Sequence, residues 1–262
     1  MCRLDAALVA MSLAKSRERA KELIKNGCVS VNGRTASKPS DTVDTAADTI
    51  EVTADTDTYV GRGGLKLERA LSYWNINVQG LACLDIGAST GGFTDCLIRN
   101  GAAKVYAVDV GHGQLAQSLL SDNRVISMEG TNIRNADEGL FKDVSFVCMD
   151  VSFISSTLIF DKISRILVNG GSGVSLVKPQ FEAGRENIGK NGIVKSKKVH
   201  ENVLISVTDA CADAGLYPYE IIPSPVKGGD GNIEYLLRFF KDDSHGTVTD
   251  IKKTVADAFN IT

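Results

Sequence analysis

Residues 85–93, Asp-Ile-Gly-Ala-Ser-Thr-Gly-Gly-Phe, place a carboxylate and three glycines between an apolar strand and the start of a helix. Glycines at 87, 91 and 92 remove side chains where the backbone turns sharply and a ligand must come close. The helix start offers free N–H groups that favour a carboxylate or phosphate. A dinucleotide loop wants G-x-G-x-x-G, whereas the register here is Gly87-Ala88-Ser89-Thr90-Gly91-Gly92. Asp85 opposes a pyrophosphate but suits a ligand bearing an ammonium. Asp109, closing the next strand in Val105-Tyr-Ala-Val-Asp-Val110, suits ribose hydroxyls. Two acids around a glycine turn fit S-adenosylmethionine, which carries amine, carboxylate, sulfonium and ribose together. The plainer alternative is a tight turn with a capping Asp.

Around this core, Ala88, Ser89, Thr90 and Phe93 are expected at the methionine end, although Phe93 serves equally well in a core. Val110 accompanies Asp109, and Thr131-Asn132 could reach an adenine. Asp150 and Lys178 each close an apolar strand, at the carboxyl edge where open α/β sheets place their ligands. Lys66 begins a helix before the first sheet strand, and Glu234 begins a late strand. Each also has a bland reading. Lys66 or Glu234 alone is a surface charge, Lys178 before Pro179 ends a strand, and Asp150 caps a loop. His112 reads as a loop histidine. Arg185, Lys190, Lys195, Lys197 and Lys198 flank Lys178 in a glycine-rich stretch, which reads as a mobile RNA-contacting loop or as a solvated one.

The elements that must hold these groups follow from the periodicity. From residue 64 the chain alternates amphipathic helices with apolar strands: LACLDIG, KVYAVDV, RVISME, SFVCMDV, GVSLVKP, YEIIPSPV and IEYLLRFF. That alternation predicts a doubly wound, parallel sheet. Helices are expected over LKLERALSYW, about 92–100, QLAQSLL, SSTLIFDKISRIL and KKVHENVLISVTDACADAG. Ahead of it, RLDAALVAMS places Leu4, Leu8 and Met11 at helical spacing. Ser16 suits the N-cap of RERAKELIKNG, with Gly27 as its stop, and CVSVNGR reads as a strand entering an Asn-Gly turn. TIEVT reads as a further strand.

The 262 residues carry 43% hydrophobic and 23% charged side chains, a globular composition. No apolar stretch approaches the roughly 20 residues that span a bilayer, and Met1–Asp5 shows no signal core, so a cytoplasmic location and no stable membrane insertion are expected. Six cysteines without C-x-x-C spacing argue for reduced thiols and against a metal site. The net charge of −3 hides an asymmetry. Eight Lys and Arg against three acids leave residues 1–38 at +5, and the segment after it is acidic.

With those features in place, residues 64–240 resemble the FtsJ-type RNA ribose methyltransferases. The whole chain resembles their TlyA, or haemolysin A, branch. DIGASTGGFTD, VDVGHGQLA, MDVSFIS, LVKPQFEAG and GNIEYLL carry the likeness. The resemblance implies a Rossmann-like, S-adenosylmethionine-dependent fold, α/β with a mostly parallel seven-stranded sheet and helices on both faces. It also implies a small N-terminal α+β RNA-binding domain like that of small-subunit ribosomal protein S-four. Arg3, Ser16, Arg17, Lys21 and Asn32 match that module, with Arg19, Lys25 and Arg34 as further RNA contacts. The domains expected are 1–58, a linker at 59–63, 64–243, and a tail at 244–262 that could form a helix.

The family's Lys-Asp-Lys-Glu set falls on Lys66, Asp150, Lys178 and Glu234. Lys178 is the expected base toward a weakly acidic ribose 2′-hydroxyl, because nearby cations and apolar walls disfavour its ammonium. Lys66 is expected to supply such a charge, while Asp150, also in the cofactor set, and Glu234 orient the lysines and the hydroxyl. The implied reaction is 2′-O-methylation of a cytidine in ribosomal RNA or ribosomal subunits, yielding S-adenosylhomocysteine, by a monomer or weak dimer. The alternatives are a membrane-active haemolysin, a catalytically inactive ribosome-assembly factor and, disfavoured by the glycine spacing, a NAD-dependent dehydrogenase.

Overall fold

The structure, a computed structural model, describes residues 1–260 apart from 15, 26, 27, 37, 53–58, 190, 191, 229, 230, 243–245 and 247–249, and apart from the side chains of Glu18, Arg19, Glu22 and Lys25. Three expected RNA contacts, Arg19, Lys25 and Lys190, and the expected stop at Gly27 thus lie outside the described residues. The chain divides into two compact units, Met1–Thr58 and Tyr59–Thr262.

In the first unit, β1 (Cys2–Arg3) leads into α1 (Leu4–Ala10), followed by α2 (Arg17–Lys25), β2 (Val29–Val31), β3 (Arg34–Thr35), β4 (Thr42–Val43) and β5 (Ile50–Val52). β1 pairs with β4, and β2 lies between β3 and β5. Leu4, Leu8, Ala20, Leu23, Ile24, Val29, Val43 and Ile50 form its core. Met11 does not join them. It lies past the end of α1 and is 39% exposed, because the chain leaves the helix there, reversing at Ser12 (φ 58°) so that the Leu13 N–H bonds back to the Leu8 carbonyl at 2.8 Å. Asn32 and Gly33, both with positive φ, make the expected two-residue turn between β2 and β3.

The second unit runs α3 (Gly63–Tyr73), β6 (Ala82–Ile86), α4 (Gly92–Arg99), β7 (Lys104–Val108), α5 (Gln117–Leu120), β8 (Val125–Met128), β9 (Val144–Met149), α6 (Phe160–Ile166), β10 (Ser172–Val177), α7 (Pro179–Glu182), α8 (Lys197–Asp213), β11 (Tyr217–Pro223), β12 (Tyr235–Phe240) and α9 (Ile251–Asn260). Its seven strands follow the order β11-β12-β10-β9-β6-β7-β8. Neighbours are parallel except on either side of β12, which runs against both β10 and β11. All seven strands read from the sequence are present, in the mostly parallel sheet expected. After β6 the chain builds β7 and β8 to one side and then returns to lay β9 on the other. That reversal opens a crevice beyond the carboxyl ends of β6 and β9. Strands buried on both faces explain the unbroken apolar runs: Leu84, Val147 and Met149 pack in one cluster, Cys83, Phe146 and Cys148 in the other.

Two helices are shorter than their periodicity suggests. α5 is a single turn, and the run after Ser155 is a 3-10 turn at Ser156–Leu158 before α6 begins. There the Ser156 N–H, a first-turn donor without a partner in the turn itself, bonds the Glu182 carboxylate at 2.8 Å. Of the linker expected at 59–63, Gly63 opens α3 and residues 59–62 are held by the second unit. The Val60 N–H bonds Asp95 at 2.8 Å, and the Tyr59 hydroxyl bonds Glu68 at 2.8 Å. At the other end, α9 buries Val255 and Ala258 and sets Phe259 edge-on to His200 at 5.0 Å. Among the described residues no helix is long and apolar enough to cross a membrane.

Phe160 is fully buried and meets Phe239 edge-on at 5.9 Å. Phe160→Ala is expected to lower stability by about 3–5 kcal/mol, measured as a fall in the urea midpoint of the second unit.

Candidate active site

The crevice is shaped by a contact that only glycine permits. Gly87, just past β6, has φ 83°, and a Cβ there would sit 2.4 Å from the carbonyl oxygen of Asp150, just past β9. Its backbone N–H bonds the Val108 carbonyl at 2.8 Å, so the loop is tied to β7 as well. Ser89 turns through φ 49° and donates its N–H to Asp109 Oδ2 at 2.8 Å, while its hydroxyl donates to Gln114 Oε1 at 3.2 Å. The Gly111 N–H occupies Asp109 Oδ1 at 2.7 Å.

Beyond this loop lies a cavity of about 360 Å³ with apolar walls from Ile86, Val108, Ile133 and Ile159 and polar groups from Ser89, Asp109, Gln114 and Thr131. Gly87, Val110 and Asp150 also line it. Its size falls in the usual range for small-molecule sites. Each Asp109 oxygen has used one of its accepting positions on the backbone, which leaves the other for a hydroxyl. Apolar walls for a flat base, with a carboxylate at the edge for a ribose, fit the expected adenosyl group.

A second cavity, about 200 Å³, shares Gly87, Ser89, Asp150 and Ser152 with the first and is bounded by Arg62, Gly63, Ala88, Thr90, Gly92, Phe93 and Lys178. Lys178 Nζ lies 2.5 Å from Asp150 Oδ1 and donates to Ser152 Oγ at 2.9 Å. Lys66 donates to Glu234 at 2.6 Å, and both are buried, outside either cavity lining. The pairs are neighbours all the same. Val177 stands opposite Tyr235 in the β10–β12 register, so the next positions are Lys178 and Glu234. On α3, Gly63 faces Asp150, its Cβ position 3.9 Å from Oδ2, and Lys66 follows one turn later. All four expected residues thus converge at the carboxyl edge. Glu234 compensates the charge of Lys66.

Three expected cofactor residues lie behind the walls. Gly91 (φ 96°) admits Leu119, whose Cδ1 would be 2.2 Å from a Cβ, and Asn132 caps a 3-10 turn by accepting the Arg134 N–H at 3.1 Å. Asp85 has 0% exposure, with Oδ2 accepting the Thr94 hydroxyl at 2.6 Å. Burial pushes its carboxyl up to about 7. Residues that sequence reasoning passed over are Arg62, Gln114, Ser152 and Phe153. The last two directly follow Asp150, a position that could have flagged them.

The basic groups divide. Arg3 and Arg17 both reach fully buried Asp5, Arg3 through two bonds at 3.0 and 3.1 Å and Arg17 through one at 3.0 Å, with each guanidinium about half exposed. The Arg3 bond, ahead of that from Arg17, holds the Asp5 carboxyl down at about 2. Asn32 is absorbed in its own turn, donating to Asp48 at 2.9 Å and accepting the Thr49 N–H at 2.9 Å. Ser16 and Arg34 are exposed, and Lys21 is partly so. In the second unit Arg185, Lys195, Lys197 and Lys198 are exposed, with Lys197 over the Phe259 ring and Lys198 paired to Glu201. The expected mobile loop is pinned at one end. Buried Asn232 accepts the Val194 N–H at 3.1 Å and donates to the Gly192 carbonyl at 2.9 Å. Buried His200 bridges the Val194 carbonyl and the Tyr235 hydroxyl.

The Asp85 environment generates a pH expectation. An acid whose folded pKa is raised keeps a proton that the unfolded chain loses. Its contribution to stability therefore declines from about pH 4 to about 7 and is level above that. Asp85→Asn removes this decline. The difference between variant and wild-type urea midpoints should move in the variant's favour between pH 5 and pH 8, and a constant difference would refute it.

Comparison with known proteins accords with this geometry. Residues 59–241 match the FtsJ-like methyltransferase family, and residues 2–50 match the S4 domain. "Hemolysin A" of Brachyspira hyodysenteriae is 45% identical over 90% of this chain and 99% of its own length. "16S/23S rRNA (cytidine-2'-O)-methyltransferase TlyA" of Mycobacterium tuberculosis is 42% identical over 90% of this chain and 88% of its own. A solved chain from Streptococcus thermophilus, described as "Putative hemolysin", superimposes with a TM-score of 0.79 at 45% identity, covering 99% of this chain and 96% of that one. The chain belongs to the FtsJ-like methyltransferase family, in the group of relatives named TlyA and Hemolysin A, with an S4 domain ahead of the methyltransferase domain.

Proposed function

We propose that this chain is a cytoplasmic S-adenosylmethionine-dependent methyltransferase that modifies the 2′-hydroxyl of a cytidine in ribosomal RNA. The observation that carries this reading is the Asp150–Lys178 pair, standing where the two cavities meet. The base specificity is taken from the Mycobacterium tuberculosis relative, whose name states it. When bound, S-adenosylmethionine supplies an electrophilic methyl group and is left as S-adenosylhomocysteine.

The residues divide the work. Asp109 and the apolar walls hold the adenosyl part in the larger cavity, and the loop around Gly87 lets the donor come close to the backbone. The smaller cavity receives the ribose. Lys178 Nζ has three positions besides its carbon; Ser152 Oγ accepts from one, and Asp150 Oδ1, 2.5 Å away in an ion pair, faces a second. The third is open to the ribose hydroxyl, whose proton a neutral Lys178 accepts as the new C–O bond forms. The resulting ammonium is the form that Asp150 and Ser152 bond. The buried Lys66–Glu234 pair braces this edge from the side of α3 and β12. Phe153, 92% exposed at φ 64° and tilted against Phe181 at 5.1 Å, offers a face on which an unstacked base can rest. Exposing a ribose within structured RNA requires such unstacking, at a few kcal/mol. Arg62 at the cavity rim suits a phosphate.

The N-terminal unit, taken as residues 1–58, supplies RNA affinity. Asp5 fixes the Arg3 and Arg17 guanidiniums so that little side-chain freedom is lost on meeting phosphates. The exposed Arg185, Lys195, Lys197 and Lys198 add attraction near the catalytic edge.

Two measurements test this. Lys178→Ala should cut transfer of labelled methyl to ribosomal RNA by about 10²–10⁴-fold, with calorimetric affinity for S-adenosylmethionine within a few-fold of wild type. Labelling at the normal rate, or no change in the map of 2′-O-methyl marks when the protein is removed, defeats the assignment. Asp5→Ala frees both arginines and should weaken ribosomal RNA binding several-fold at fixed salt while leaving cofactor affinity unchanged. Equal RNA affinity would show that the clip does not serve recognition.

A further inference from the structure

Lys178 does not stand on an isolated turn. The segment 178–182 and the loop 152–156 touch at three successive points, in the same order along both. Lys178 donates to Ser152, Phe181 packs on Phe153, and Glu182 takes the serines beyond. Glu182 is the anchor of this series. Its Oε1 accepts the backbone N–H and the hydroxyl of Ser156, each at 2.8 Å, and its Oε2 accepts the Ser155 hydroxyl at 2.5 Å. Ser155 in turn lies 2.6 Å from the Thr157 hydroxyl. Carboxylate bonds of this kind are the strong ones, and they bridge residues 26 and 27 positions apart.

What they restrain needs restraining. Phe153 occupies the left-handed region at φ 64°, which a residue with a Cβ avoids unless its surroundings impose it. It is also the most exposed large aromatic of the second unit, so burial does not hold it in place. The contacts that do are Phe181 on one side and the Glu182-bound serines on the other.

We propose that Glu182 is a positioning residue for methyl transfer: it fastens the loop carrying Ser152 and Phe153 to the turn carrying Lys178, so that the base and the acceptor nucleotide's platform keep one geometry. The inference rests on the methyl-transfer reading. Glu182 reaches neither cavity, and it acts through the loop. Its role needs an acceptor at each oxygen position or a group able to reverse the bond. Glutamine meets that need, since its amide oxygen can serve Ser156 while its N–H donates to Ser155, whose own proton turns to Thr157.

The test uses the full chain, ribosomal RNA and labelled S-adenosylmethionine. Glu182→Ala should lower kcat by about 10–100-fold, with a smaller change in KM for RNA, while Glu182→Gln stays within a few-fold of wild type. On a Phe153→Ala background the same Glu182→Ala change should cost less, because the Phe153 part of what the loop positions is already gone and only the Ser152 part remains. Wild-type kcat in Glu182→Ala, an equal loss in Glu182→Gln, or an undiminished loss on the Phe153→Ala background each overturns the proposal. If Glu182→Ala does not fold, Ser155→Ala removes one bond from the loop side and should lower kcat several-fold, and an unchanged kcat overturns it. No transfer by the wild-type chain would instead defeat the methyl-transfer reading itself.

Discussion

The architecture turns on the approach of Gly87 to the carbonyl of Asp150. A side chain at 87 would have to occupy the space of that oxygen, so the ends of β6 and β9 can meet only if one of them carries none. Their meeting matters because each strand delivers a different partner. β6 leads to the loop that borders the larger cavity, and β9 leads to the carboxylate paired with Lys178. Gly87 and Asp150 each line both cavities, so separating those ends would pull the two cavities out of shape together. A displacement of about one ångström is enough to cost two orders of magnitude in a transfer reaction.

Around that contact, charges are neutralised in pairs. Lys66 meets Glu234 and Lys178 meets Asp150, and neither lysine is left alone in a largely buried setting. An unpaired charge there would carry a heavy desolvation cost. Pairing also sorts the two lysines. Both lysines are about nine-tenths buried, but of the two only Lys178 lines one of the two cavities.

Much of this was legible in the residues. The apolar runs of β6, β7, β9 and β10 announced strands covered on both sides, and Asp150 and Lys178 were marked by their places at strand ends. Asp109 announced itself in the same way. What stayed hidden depended on tertiary partners. Periodicity suggested a full helix over 155–167, but residues 156–158 close as a 3-10 turn capped by the distant Glu182 carboxylate, and α6 starts at Phe160. The Asn32-Gly33 pair announced its turn, but that the Asn32 side chain is taken up there shows only once Asp48 and Thr49 fold against it. Asp85 looked like a ligand group because it opens the glycine loop. Strand alternation, invisible without knowing which face the crevice occupies, turns it inward.

The reversed strand β12 has an implication for how such a chain can diverge. Because it runs against β10, its first residues lie level with the last residues of its neighbour, and Glu234 comes beside Lys178 through pairing register alone. Extra or missing residues in the loops of the stretch between α7 and β12, outside α8 and β11, can bulge outward, since chain closure is insensitive to modest changes of length. A single insertion inside β10 or β12 is a different matter, because it would turn every following side chain to the opposite face. Length variation among descendants should therefore crowd into the connecting stretch and spare the two ladders.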